Sequence, residues 1–298
     1  MAKISGFSLV RNGVSFDYPF LESWRSVLPI VDELVLNIGK SDDQTLAVAK
    51  KFAAEEGNGK VHIFESEWPL NDPEKKKSGL ILSEQTNLAL GQCAFDWCFY
   101  IQADEVIHED DYALIRAAVN AAESQNLEAV VFNYAHFYGS FNVIQNTRSA
   151  YRREMRMIRK SSGARSVGDA QSFLKPGGEK LNALLSKARI FHYGWVRTPE
   201  AMKEKTEFMD QLYHGNHVQK SDNYLYKRFW GLQEYSGTHP RVMSERIRTK
   251  GWNWDLKNSP FIFSASDLKK AVLDLYERAT GCRPFEFKNY KVRRNENE

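Results

Sequence analysis

The segment FYIQADEVIHEDD, residues 99–111, drives three apolar residues into a polar turn, Gln102-Ala103-Asp104-Glu105. A carboxylate at the carboxyl end of a buried strand can hold a divalent metal, which in turn neutralises a diphosphate. An acidic helix start, with Asp104 and Glu105 complementing the helix dipole, accounts for the same residues. A second polar turn, NIGKSDDQT at 37–45, follows the apolar LVL and precedes a helical stretch. Ser41, Asp42 or Asp43 can cap that helix, and Gly39 can take a tight-turn conformation. As a ligand site the turn suits a base, a ribose hydroxyl or a metal better than a phosphate, because its own residues are acidic.

Both turns need strands to aim them. KISGFSLV (3–10) reads as a first strand, closed by Arg11, Asn12 and Gly13. Pro19 opens a helix whose Phe20, Leu21, Trp24 and Val27 share one face. Strands at 34–36, 61–66 and 96–102 alternate with helices at 46–56 and 79–92, and residues 103–111 read as a turn into a helix ending near Ala122. A long strand follows at 127–138, a basic segment at 148–160 that could form a strand pair, and a late strand at 186–194. The next helix, 198–213, has Thr198 as cap and Pro199 at its first position. The alternation predicts an α/β fold with a mixed, mainly parallel sheet flanked by helices. The last part reads as a helical, aromatic-rich C-terminal extension ending in a charged tail.

Composition narrows the classes. The chain has 298 residues, is 42% hydrophobic and carries a net charge of +3. That allows one large core, or a core with an appendage, and falls short of a dedicated nucleic-acid binder. No apolar run is long enough to span a bilayer, and the first residues lack the apolar core of a secretion signal. Cys93, Cys98 and Cys282 form neither a metal-like nor a disulfide-like pattern. A cytoplasmic setting is expected. No Gly-x-Gly-x-x-Gly follows the first strand and no Gly-x-Ser-x-Gly elbow occurs, which disfavours a dinucleotide oxidoreductase and a serine hydrolase.

Four segments, in order, resemble nucleotide-sugar-dependent glycosyltransferases of the GT-A fold, in particular the family-2-like inverting group. SLVRNG (8–13) resembles the opening strand and its Asn-containing turn. LNIGKSDDQT (36–45) resembles the turn that holds the nucleotide base and ribose. FYIQADEVI (99–107) resembles the Asp-x-Asp-Glu segment that binds metal and donor diphosphate. ARIFHYGWVRTPEAMKEK (188–205) resembles a later His-Tyr-Gly segment whose His completes the metal site. Two departures stand out. Asn37 replaces the usual Asp, with Lys40 an apparent insertion, and Gln102 replaces the first Asp of the acidic motif; Gln is a weak metal ligand.

The resemblance implies a GT-A, Rossmann-like domain at 1–215 and a helical extension at 216–298 packed on the acceptor side. Asn12, Asn37, Ser41 and Asp43 would lie near the donor nucleotide, and Gln102 and Asp104 at the ribose and diphosphate. Asp104 and His192, helped by Glu105, would hold Mn²⁺ or Mg²⁺. An acidic residue between the acidic motif and the late His would act as general base in a hexosyltransferase-like reaction. Asp169 in RSVGDAQSF is the candidate, with Glu179 in reserve in a Gly-rich loop that could act as a lid; an ordinary turn Asp explains Asp169 as well. The first acceptor class is a saccharide or glycolipid, a lipid carrier being met peripherally.

A second acceptor class, a hydroxymethylated base in DNA, is suggested by the basic run 147–165 and by Arg and Lys interleaved with Tyr224, Tyr226, Trp230, Trp252 and Trp254. Core packing is the favoured explanation of the aromatic residues, and a solvated edge with snorkelling stems accounts for the basic run. Gln102 and Asn37 also fit a third reading, a degenerate saccharide-binding protein. Of the other histidines, His62 reads as a strand residue, His108 as a solvated helix residue, and His214 and His217 as part of a loop at a helix end.

Overall fold

The computed structural model describes residues 2–145, 148, 150–214, 224–250, 252–261, 265–286 and 288–292. β1 (Ile4–Val10), β2 (Glu33–Gly39) and β3 (Val61–Ser66) run parallel, joined by α1 (Phe20–Val27) and α2 (Thr45–Glu55). After α3 (Leu80–Gln92), β4 (Trp97–Tyr100) joins the other side of β1, again parallel. The order β3-β2-β1-β4 therefore reverses direction between β1 and β4. Ligands of open α/β sheets bind at such a switch point, outside the carboxyl ends of the strands.

The alternation of side chains along β2 shows why most of its sequence is apolar. Leu34, Leu36 and Ile38 pack on Trp24 and Val27 of α1 and Phe52 of α2. Val35 points to the opposite layer, with Leu90 of α3 and Tyr100. A strand covered on both faces cannot use a polar side chain without a buried partner.

The second half makes the sheet mixed. β5 (Glu105–Ile107), α4 (Tyr112–Ser124), β6 (Ala129–Tyr138), β7 (Ser140–Gln145) and β8 (Arg153–Arg159) come first. β8 lies between β4 and β6, antiparallel to both. A two-stranded ribbon, β9 (Arg165–Val167) and β10 (Ser172–Leu174), precedes the long β11 (Leu181–Trp195) and α5 (Pro199–His214). As expected, Thr198 caps α5, its Oγ1 accepting the Ala201 N–H at 3.4 Å. The C-terminal part contains α6 (Ser244–Thr249) and α7 (Ala265–Thr280), but it also returns two strands to the main sheet. β12 (Leu232–Glu234) pairs with β7, and β13 (Tyr290–Val292) with β11.

β11 positions the site. It runs parallel to β6 along its length, with a register shift between Leu185 and Arg189. Its second half also pairs with β5, which sets His192 opposite Glu105 on one side and His136 on the other.

Two sequence expectations are corrected here. Residues 105–107 form a strand before the helix, because a partner strand distant in sequence is there to pair with them. His108 is buried rather than solvated, with Nε2 3.1 Å from Thr238 Oγ1. His62 is an exposed strand residue, as read. His217, the side chain of His214 and the tail beyond Val292 lie outside the described residues. Among the described residues no helix is long and apolar enough to cross a membrane.

Candidate functional site

A cavity of about 530 Å³ opens at the carboxyl ends of β1 and β4, with α5 as its opposite wall. Gln102, Asp104, Asp169 and His192 all line it, so four of the residues singled out by sequence meet in one place.

Asp104 is its electrostatic centre. The carboxylate is 6% exposed; Oδ1 lies 3.7 Å from His192 Nε2 and Oδ2 accepts from Lys205 Nζ at 3.3 Å. Burial alone would raise its pKa, but Lys205, His192 and Arg197 outweigh that and hold it at about 2. Lys205 also donates to the Gly194 carbonyl at 2.8 Å. Burial, and then the neighbouring Arg197, bring the Lys205 pKa down to about 7 against the pull of Asp104. Burial likewise lowers His192 to about 4.

The Asp104–His192 pair fits a divalent cation. A spacing of 3.7 Å is too long for a hydrogen bond. It does suit an imidazole nitrogen and a carboxylate oxygen that each approach one ion at about 2.0–2.2 Å. Among the described residues no group of three or more His, Cys, Asp and Glu side chains is arranged to hold a metal. Asp104 and His192 are therefore the protein donors on offer, and a hard cation that keeps water and substrate phosphates as ligands can use so few.

Gly194 is needed where it stands. A Cβ there would lie 2.5 Å from His192 Nε2 and 2.9 Å from Asp104 Oδ2. Gly194→Ala is expected to move one of these two groups and to lower kcat/KM by about 10²-fold, since displacements near 1 Å cost that much. Steady-state kinetics beside an unchanged unfolding midpoint would check it.

Glu105, expected to help with metal, is engaged elsewhere. It is fully buried and paired with Arg156, also fully buried, at 2.8 Å. Tyr134 Oη donates to Glu105 Oε1 at 2.7 Å and the Gln102 N–H to Oε2 at 3.2 Å. Arg156 Nη1 donates to the Gln171 carbonyl at 2.7 Å. This buried pair thus joins the turn carrying Asp104 to the loop carrying Asp169.

Asp169 follows Gly168, which has a φ of +59°. Oδ1 accepts the Gln171 N–H at 3.2 Å and Oδ2 accepts from Tyr213 Oη at 2.9 Å. Its backbone packs on Gly79, whose φ of +70° and lack of Cβ allow the approach. Glu179 does not line the cavity; it faces Lys175 at 3.7 Å and Lys291 at 3.8 Å.

The expected nucleotide contacts sit differently. Asn37 is fully buried behind the cavity. Its Nδ2 donates to the Gln85 carbonyl and Oε1, both at 3.0 Å, and its Oδ1 accepts from Ser66 at 2.5 Å. Asn12, Ser41 and Asp43 stitch the turns after β1 and β2 together. Ser41 Oγ accepts the Asn12 N–H at 3.0 Å, and Asn12 Oδ1 accepts the Asp42 N–H at 2.9 Å. Asp43 accepts the N–H groups of Ser15 at 2.8 Å and Thr45 at 2.9 Å, the latter opening α2. Burial opposes its charge, but these hydrogen bonds hold its carboxyl below the usual range. None of the four lines the cavity; Arg11, held by Asp42 at 2.9 Å and the Lys40 carbonyl at 2.8 Å, does.

The basic run is engaged within the chain. Arg148 meets Asp274 and Glu277, Arg152 meets Glu277 and Glu286, and Arg159 faces Asp96 and Glu123. Together with Arg156, these guanidinium groups form no free track for a phosphate backbone. Tyr226, Trp252 and Trp254 pack around Tyr138, and Trp254 covers Gly139, where a Cβ would be 2.5 Å from its ring. Thr147, part of the run as read, lies outside the described residues.

Lys205, Asp210, Tyr213 and Phe208 line the cavity without having been singled out. They come from α5, whose Met202, Thr206, Met209 and Tyr213 recur at helical spacing on the cavity side. That periodicity was the available signal, but it reads as core until the opposite wall is known. Trp68 and Phe208, with ring centroids 6.3 Å apart, add flat apolar surface at the Arg11 end.

No protein-family model matches the chain, and no curated protein matches it. Among solved structures, S. aureus TarS is 14% identical over 70% of this chain and 39% of its own, with a TM-score of 0.40. The mannosyltransferase PcManGT from Pyrobaculum calidifontis, in complex with GDP-Man and Mn²⁺, is 16% identical over 43% of this chain and 34% of its own, with a TM-score of 0.33. The glucosyl-3-phosphoglycerate synthase from Mycobacterium tuberculosis, in complex with Mn²⁺, UDP and glucosyl-3-phosphoglycerate, is 17% identical over 46% and 45%, with a TM-score of 0.31. The chain spans less than half the length of each, and all three are partial likenesses at low identity.

Proposed function

We propose that this chain is a glycosyltransferase that moves a sugar from a nucleotide-sugar donor to an acceptor hydroxyl with inversion. One observation carries the reading. A single cavity at the β1/β4 switch point gathers a buried carboxylate and imidazole, a cation and a second carboxylate: Asp104, His192, Lys205 and Asp169.

In this reading the donor diphosphate lies toward Asp104 and Lys205, and the Lys205 ammonium offsets the charge of the departing nucleoside diphosphate. The Gln102 amide reaches the ribose, and Trp68 and Phe208 flank the base as apolar surface. Asn12, Ser41 and Asp43 act one layer back, by fixing the turn that holds Arg11. Asp169 takes the proton of the acceptor hydroxyl while its oxygen attacks the anomeric carbon, and the bond to the diphosphate oxygen breaks with its electron pair. A divalent cation, Mn²⁺ or Mg²⁺, held by Asp104 and His192 would neutralise the diphosphate as it leaves. The acceptor is a saccharide or glycolipid approached from the side of the 216–298 extension.

A thermal-shift screen of nucleotide sugars and nucleoside diphosphates, with and without Mn²⁺, tests the reading. A ligand of the native state raises the unfolding midpoint by mass action. One nucleotide is expected to do so, and its sugar form to be hydrolysed slowly. Binding without hydrolysis or transfer would make the chain a saccharide- or nucleotide-binding protein. No shift with any compound would remove the donor site altogether.

A further inference from the structure

We infer that His136, which no substrate needs to touch, is a positioning residue that fixes the protonation pattern of His192 so that an imidazole lone pair faces Asp104. The inference rests on the cation site of the proposed function, and the argument is one of donors and acceptors.

His136 is buried, and its two ring nitrogens have different partners. Nε2 lies 2.7 Å from the Tyr151 carbonyl oxygen, and Nδ1 lies 3.0 Å from His192 Nδ1. A carbonyl can only accept, so His136 Nε2 carries the proton. In a neutral ring Nδ1 is then the acceptor, and the proton in the 3.0 Å contact belongs to His192 Nδ1. His192 Nε2 is consequently the bare nitrogen, and it is the atom 3.7 Å from Asp104 Oδ1. Two lone pairs facing each other across that gap repel, and the arrangement is relieved by a cation that both can bind. Tyr134 and Tyr151 pack on the His136 ring at centroid distances of 5.1 and 4.8 Å, and burial lowers the pKa of both imidazoles, which keeps the neutral rings.

The chain of contacts is held by three strands and a loop. His136 sits on β6, His192 opposite it on β11, Asp104 next to β5, and Tyr151 just before β8. Partners that orient a ligating histidine through its other nitrogen commonly change metal affinity about 10–100-fold when removed. Here that partner is a second histidine, and its own orientation is set by a main-chain carbonyl that no side-chain substitution deletes.

Long-range ¹H–¹⁵N spectra of the full chain labelled at histidine read the tautomer directly, with His192 assigned by the loss of its signals in His192→Asn. The expected wild-type pattern is a protonated Nδ1 and a bare Nε2 at His192. His136→Leu should release His192 to the other tautomer and weaken Mn²⁺ binding about 10–100-fold, measured by calorimetry with UDP or GDP present. His136→Gln, whose amide can accept from His192 and donate to Tyr151, should restore both. A wild-type His192 protonated on Nε2 would overturn the inference, and so would His136→Leu that binds Mn²⁺ as the wild type does. If His136→Leu does not fold, the wild-type spectrum decides. A chain that binds a nucleoside diphosphate equally well in EDTA overturns the inference but leaves the donor reading standing. A chain that binds none under either condition removes both.

Discussion

Arg156→Met is expected to cost about 3–5 kcal/mol of stability, the usual penalty for leaving one member of a buried ion pair unpaired. Glu105 would remain fully buried with Tyr134 and the Gln102 N–H as its donors and no cation. The matching fall in the thermal midpoint is roughly 10 °C for a chain of this size. Glu105→Leu should cost a similar amount. The double variant Glu105→Leu/Arg156→Met should lie closer to the wild type than either single one, because no charge is then stranded. Urea unfolding of all four proteins checks this; a double variant as unstable as the sum of the singles would show that the pair acts through packing alone. The same arginine also holds the Gln171 carbonyl, two residues from Asp169. A loss of turnover larger than the loss of folded protein is therefore expected in Arg156→Met.

Asp169→Asn is expected to lower kcat about 10²–10⁴-fold, the range a general base contributes. Nucleoside diphosphate affinity should stay within a factor of two or so of the wild type on this argument, because Asp169 belongs to the acceptor step rather than to donor binding. The Asn oxygen can still accept the Gln171 N–H, and its Nδ2 can donate to Tyr213 Oη with the direction of that bond reversed, so the loop keeps both contacts. Single-turnover transfer and calorimetry on one preparation separate the two effects. Unchanged kcat would move the base to Asp210, the other carboxylate on the α5 wall of the cavity.

The sequence made the first half of the sheet legible because parallel strands buried on both faces leave continuous apolar runs, and the caps between them use distinctive residues. β3 spans the residues its pattern marks, α2 is shifted by one residue at both ends, and α3 differs by one residue at its start. β5 was not legible: three residues show no periodicity, and only β11, far along the chain, makes them a strand. At the site, Gln102, Asp104 and Asp169 turn loops at the same edge, and His192 meets them from inside β11, which β5 and β6 hold there. Asn12, Asn37, Ser41 and Asp43 carry the same kinds of polar atom, but those atoms bond to one another and to Gln85, Ser66 and Thr45. Residue type cannot distinguish a turn that binds itself from one that binds a ligand. Lys205 was hidden for a related reason, since its partner Asp104 lies 101 positions away. The basic run misleads alone because its carboxylates are remote: those of Arg148 and Arg152 lie on α7 and beyond, more than a hundred positions downstream, and those of Arg156 and Arg159 lie upstream at Glu105, Asp96 and Glu123.

β13 gives the pairing of β11 a direction in time. The first half of β11 finds one neighbour in β6, made earlier, and the other in Tyr290–Val292, among the last described residues. On a ribosome that edge of the sheet stays open, with its N–H and C=O groups unpaired, until Tyr290–Val292 have emerged. The buried Tyr290 side chain arrives at the same moment to fill its place beside Leu181 and Met155. A nascent chain stalled before residue 290 therefore exposes a ready template for strand addition, while the half of the sheet that carries Asp104 can already be complete.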